Sequence, residues 1–199
     1  MEGINYRRER IDILSDDIEI KLKIASEAVA NLPIITERDE NYGHERFAAL
    51  LGNVYVNTMN AITIDISAIY EETDAEKADE LYGSYREMQD RVDIDLTKLR
   101  ARIDGIGHKF PEYAHLTVVG DVHTHPSGTT QPSAADLANT IALYESGAIR
   151  KSDPFIFGIG ARIGSIIKYK FYRISRFDKS RGIYRYKTLL THTIGAHPL

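Results

Sequence analysis

The sequence predicts a single α/β or α+β domain. Three observations carry this prediction. Short apolar or alternating runs lie toward both ends of the chain. The stretch from Leu81 to Ile106 repeats its apolar residues at helical spacing. A strand-like run ends in His123-Thr-His125-Pro126, shortly before a second helical pattern.

In chain order, residues 1–17 form a charged N-terminal segment and residues 18–190 the domain. A helix is predicted from Ile18 to Leu32, with Ile20, Ile24, Ala28 and Val29 as its apolar stripe. Thr36 to Gly43 is polar and loop-like. Phe47 to Val56 is almost wholly apolar, as a strand buried on both faces must be, and so is placed centrally in the sheet. Asn57 to Asn60 is a turn, and Ile62-Thr-Ile-Asp-Ile66 alternates like a half-exposed strand.

A long helical insert is predicted over about residues 74–108. Leu81, Tyr85, Met88, Val92, Leu96, Leu99, Ile103 and Ile106 fall three or four residues apart, so one face stays apolar for about seven turns. Such a face packs against the sheet or serves a dimer or partner. Leu116 to Val122 is a strand that delivers the two histidines, and residues 126–132 are a loop rich in Gly, Pro, Ser and Thr. Ser133 to Ser146 is a helix ended by Gly147. Phe155 to Gly160, Ile166 to Ile174 and Ile183 to Tyr186 are strands, and residues 191–199 are a tail.

Composition narrows the function classes. A chain of 199 residues is long enough to bury roughly 70% of its unfolded surface. Its 43% hydrophobic and 27% charged content is that of a globular protein. No apolar run approaches ~18 residues, and the N-terminus lacks a signal-peptide pattern, so a cytoplasmic protein without a membrane span is expected. There is no cysteine, which excludes disulfides and thiolate ligands; any metal must be held by N and O donors. The net charge of −4 conceals an asymmetry: residues 151–199 carry 10 basic and 2 acidic side chains. Basic and aromatic residues alternate there, as in strands with one polar face; the same surface would suit nucleic acid or an acidic protein.

The chemistry is concentrated in one spacing: His-x-His, seven residues, Ser133, two residues, Asp136. A histidine pair at i and i+2 on a strand points both rings to one face. Two imidazoles and a carboxylate suit a Zn²⁺ site that keeps a position open for water, the mark of a catalytic rather than a structural zinc. Each residue also has a plainer role. His123 and His125 alone would serve as hydrogen-bonded histidines at a strand end. Ser133-x-x-Asp136 alone is a helix cap, and a capped helix start would also fix the direction of a ligand. Glu45, at the mouth of the apolar strand, is either a surface carboxylate or the base that a metal-bound water needs.

These residues resemble the motif of the JAMM (MPN+, JAB domain) zinc metalloproteases, in their prokaryotic type. The resemblance rests on Glu45 seven residues before Gly52 in the apolar "LLG" strand, on Gly120-Asp-Val-His123, and on His123, His125, Ser133 and Asp136 in order. It implies a cytidine-deaminase-like MPN/JAB fold with a curved central sheet packed between helices. It implies one Zn²⁺ per chain on His123, His125 and Asp136, a water activated by Glu45, and Ser133 stabilising the oxyanion. It also implies an isopeptidase or peptidase acting after the C-terminal tail of a ubiquitin-like or sulfur-carrier protein. Ala48 departs from the glycine common in the family, and the 74–108 insert is longer than a minimal member needs. Two other readings compete: an MPN-type binding or scaffold module, and a RadC-like, DNA-associated protein.

Overall fold

The computed structural model describes residues 14–35, 45–58, 60–71, 98–101, 104–105, 113–126, 128–150, 152–178 and 183–195. Seven strands form one sheet: β1 (Glu19–Ile24), β2 (Phe47–Thr58), β3 (Ala61–Tyr70), β4 (Thr117–Thr124), β5 (Ile156–Ile163), β6 (Ile166–Asp178) and β7 (Ile183–Gly195). Their order across the sheet is β1-β3-β2-β4-β5-β6-β7. β1 runs parallel to β3 and β4 parallel to β5; the other neighbours are antiparallel. A parallel neighbour requires a crossover. Between β4 and β5 the crossover contains the helix α2 (Ala134–Glu145); a single helical turn, α1 (Ser26–Val29), follows β1.

The class is therefore mixed α+β with strands in the majority. The sheet curves until its edges nearly meet. Arg173 on β6 donates to the carbonyls of Ser15 and Ile18, just before β1, and Lys187 on β7 donates to the carbonyl of Asp16.

β2 shows why the core has two halves. Phe47, Ala49 and Leu51 point to one face and Ala48 and Leu50 to the other, as strand alternation requires, and all five are buried. The first face packs Phe157, Ile159, Tyr172 and Ile174 against Ile141 and Tyr144 of α2 and against Leu99. The second packs Ile64, Ile66, Val122, Tyr169 and Phe171 against Leu22, Ala28, Leu32 and Ile35. Each face loses water, and burying an aliphatic or aromatic side chain is worth about 1.5–3 kcal/mol.

The predicted helix from Ile18 to Leu32 is corrected by this structure. Glu-Ile-Lys-Leu-Lys-Ile is a strand paired residue by residue with Ala61–Ile66, and only Ser26–Val29 are helical. The alternation of apolar and charged residues from 19 to 24 has a period of two. It wins because Leu22 gains burial on the second face while Lys21 and Lys23 stay exposed. β7 continues through Gly195, past the tail expected from 191, and sets His192 opposite Tyr169. Within the long helical insert, residues 98–101 and 104–105 are helical and Leu99 is fully buried; its remainder, like the predicted loop over 36–43, lies outside the described residues.

Candidate metal centre

β4 carries the site. Its neighbours fix which way each side chain faces. His123 pairs with Phe47 on one side and Ile159 on the other, both on the first face, so its imidazole shares that face with α2. His125 follows two residues later, and its backbone N–H continues the ladder by donating to the Gly160 carbonyl at 2.7 Å. Gly120 permits the close packing behind them: a Cβ there would run into the backbone carbonyl of Ile156.

Asp136 arrives from the start of α2. Ser133 is the N-cap; its Oγ accepts from the Asp136 N–H at 3.1 Å, and its own N–H donates to Asp136 Oδ2 at 2.6 Å. This reciprocal capping box satisfies two otherwise orphaned donors and turns the Asp136 carboxylate back toward β4. The cap and the ligand geometry thus coexist in one residue.

The result is a compact group of donors. His123 Nε2 lies 3.2 Å from His125 Nε2 and 3.1 Å from Asp136 Oδ1, and His125 Nε2 lies 3.3 Å from Asp136 Oδ2. Four-coordinate zinc with bonds of about 2.0–2.1 Å sets neighbouring donor atoms roughly 3.3 Å apart. Asp136 meets the two rings through different oxygens; with one ligand atom from each residue, the three donors lie within 4.8 Å of one another and could hold a metal ion.

The protonation chemistry agrees. His125 Nδ1 faces the Thr129 carbonyl at 3.2 Å; a carbonyl only accepts, so Nδ1 carries a hydrogen there, and Nε2, which meets Asp136 in the metal-free centre, would turn its lone pair to a bound ion. His123 is opposed by burial when charged. The carboxylates of Asp121 and Asp136 overcome that cost and push its pKa up to about 10. Burial also resists ionisation of Asp136, yet His123, His125 and the Ser133 backbone hold its carboxyl below the usual carboxylate range. Burial raises Asp121, partly offset by His123. Without metal the centre thus traps a proton on His123. A cation at the same place would satisfy the same acceptors.

Two supporting residues escaped the sequence reading. Asp121 lies 3.9 Å from His123 Nδ1 on the opposite side of the ring from Asp136, and Thr129 orients His125. Such outer partners set the tautomer and direction of ligating histidines. Asp121 had a signal, since 121, 123 and 125 share one strand face at a period of two. The carbonyl of Thr129 had none, because any residue supplies one.

Glu45 precedes β2. The β2–β4 ladder reaches one residue beyond Phe47↔His123, with the Arg46 N–H donating to Thr124 Oγ1 and the Thr124 N–H donating to the Arg46 carbonyl. Glu45 itself is half-buried and lies two residues before Phe47, the partner of His123. The loop between His125 and Ser133 is pinned from β6, where Tyr172 donates to the Thr130 carbonyl at 2.6 Å. Among the described residues no helix is long and apolar enough to cross a membrane.

The comparisons with known proteins bear on this site. One solved structure that resembles the chain is the solution structure of protein DSY2949 from Desulfitobacterium hafniense. It is 13% identical over 77% of this chain and 84% of that chain, with a TM-score of 0.44. No curated protein matches the chain. The family model for prokaryotic homologs of the JAB domain matches residues 28–162, which span β2 to β5, Glu45 and the whole His-His-Asp group, and the chain belongs to that family.

Proposed function

We propose that this protein is a zinc-dependent isopeptidase or peptidase. Its proposed substrate is the bond after the C-terminal tail of a ubiquitin-like or sulfur-carrier protein. The observation that supports this most is the donor set: His123 Nε2, His125 Nε2 and Asp136, spaced 3.1–3.3 Å apart. Two imidazoles and one carboxylate favour zinc and leave a coordination position for water.

The ion, when bound, would polarise the scissile carbonyl and lower the pKa of a water to roughly 7. Glu45 is the base in this reading. It takes a proton as the water oxygen adds to the carbonyl carbon, and it returns that proton to the amine nitrogen as the C–N bond breaks. Ser133 accepts a hydrogen bond from Asp136 N–H and keeps its own hydroxyl hydrogen, which it donates to the carbonyl oxygen as negative charge develops there. Membership of the JAB family supports these roles, as does the place of Glu45 two residues before Phe47, the partner of His123.

The test is Glu45→Gln. Purified wild type and variant should both carry about one zinc per chain by elemental mass spectrometry, while cleavage of carrier-protein conjugates falls by 10²–10⁴-fold. Undiminished cleavage by the variant would remove Glu45 from the mechanism. Wild type that holds no zinc even after reconstitution would move the protein to the scaffold reading.

A further inference from the structure

Two lysines of β6 have no partner among the described residues, and the sheet aligns them with the metal centre. His123 pairs with Ile159, and Ile159 with Lys170. One step on, the same register takes His125 to Ala161, and Ala161 pairs with Lys168. Residues paired across a sheet share a face. The intervening residues confirm the parity: Tyr169 and Phe171 are buried on the second face, and Lys168 and Lys170 alternate with them. Both lysines therefore lie on the face that carries His123 and His125, two strands away. At about 4.8 Å per strand this is roughly 10 Å, or about three residues of an extended peptide.

Several neighbouring cations are already occupied. Arg162 binds the Ile35 carbonyl, Arg173 binds Ser15 and Ile18, and Lys187 and Arg185 face Asp16. Lys168 and Lys170 are half-buried and enter no ion pair or hydrogen bond among the described residues. Two like charges about 7 Å apart on one strand face, with no ion pair of their own, suit an anion supplied from outside. Beside them, on the same strand face, stands Tyr172, which supports the loop between His125 and Ser133.

We propose that Lys168 and Lys170 form a carboxylate subsite, which takes an acidic side chain of the substrate about three residues from the scissile bond. The proposal rests on the peptidase reading and deepens it by naming the substrate class: a tail or acceptor segment that is acidic at that distance. Specificity is then divided between a centre that reads only the peptide bond and a charged pair that reads the sequence beside it. The lysines act on binding, so they govern KM and leave the chemical step alone.

The test uses zinc-loaded full-length protein and short peptides carrying a zinc-chelating hydroxamate at either end. A single Glu, or Gln as control, occupies successive positions two to five residues from the hydroxamate. One Glu position near the third is expected to bind about tenfold tighter than its Gln control at low salt. Lys168→Glu with Lys170→Glu should abolish that preference, while Gln peptides bind as before and zinc content stays at that of wild type. Equal binding of Glu and Gln peptides by wild type would overturn the subsite and leave the peptidase reading standing. Failure of every hydroxamate peptide to bind would overturn both. Tighter binding of a single-stranded oligonucleotide than of any peptide, lost in the charge-reversed variant, would reassign the lysines to nucleic acid.

Discussion

The hydroxyl of Tyr172, on β6, donates to the carbonyl of Thr130 at 2.6 Å, so a strand two places from the histidines holds the loop that joins them to Asp136. The phenol is itself held in place. Its ring stacks on Phe157 at 5.4 Å and meets Tyr186 edge-on at 5.5 Å. The stack on Phe157 and the edge contact with Tyr186 limit how the ring can turn and so where its hydroxyl points.

Tyr172→Phe keeps the ring and removes the donor. The buried Thr130 carbonyl then loses its partner, which costs about 1–3 kcal/mol. The neighbouring Thr129 carbonyl, which orients His125, loosens with it. Urea denaturation should show the loss in stability and chelator competition a several-fold loss in zinc affinity. A variant as stable and as avid as wild type would mean that the loop is held by other contacts.

Asp121→Asn is nearly isosteric and removes one charge beside His123. With a divalent ion in place, Asp136 supplies one negative charge and Asp121 the second, so the wild-type centre is neutral. Zinc affinity is expected to fall about 10- to 100-fold, as it does when outer partners of ligating histidines are removed. Unchanged affinity would reduce Asp121 to a buried polar residue.

The pH dependence follows from the two coupled ligands. His123 is raised from its ordinary 6.5 to about 10, so its contribution is fully present below pH 6.5 and lost as pH rises through 10. Asp136 is held below its ordinary 3.8, so its contribution is present above pH 3.8 and lost as pH falls further. Metal-free protein should therefore owe most to this pair between pH 3.8 and 6.5. Zinc displaces the His123 proton, so added zinc should raise Tm more at about pH 8 than at about pH 6. Thermal scans with and without zinc decide this; an equal shift at both pH values would mean that no proton is displaced.

Gly120→Ala places a methyl group against the Ile156 backbone carbonyl, which cannot move without breaking the β4–β5 ladder. A loss of about 1–3 kcal/mol or more is expected, with zinc affinity reduced because His123 shifts with β4. A variant that melts with wild type would show that the two strands part without cost.

Much of the sheet was legible because burial leaves a signature in sequence. Phe47–Val56 is apolar on both faces and became the interior strand β2; Leu116–Val122 became β4 with His123 inside it and His125 at its end. The helix after Pro132 was legible from its cap, with Ser133 and Gly147 at its two boundaries. Residues 18–32 were misread because six residues of alternation and one turn of helix also fit a single amphipathic stripe. Only pairing with β3, a contact 42 residues away in sequence for Glu19 and Ala61, decides between them. The grouping of His123, His125 and Asp136 was legible from type and spacing. The alignment of Lys168 and Lys170 with the histidines was not, since it depends on the register of two strand pairs that local sequence does not determine.

Asp136 closes the helix cap with the same carboxylate that faces the two histidines. The two duties differ in who depends on them. In the metal-binding reading His123 and His125 answer chiefly to the ion, whereas Asp136 also answers to the folding of α2, where loss of a capping partner costs about 0.5–2 kcal/mol. A descendant of this chain released from metal chemistry would be free to replace its histidines, yet would still be selected to retain an acidic residue at 136. An aspartate there is thus weak evidence of an active enzyme, and the histidine pair is the part of the motif whose survival reports on catalysis.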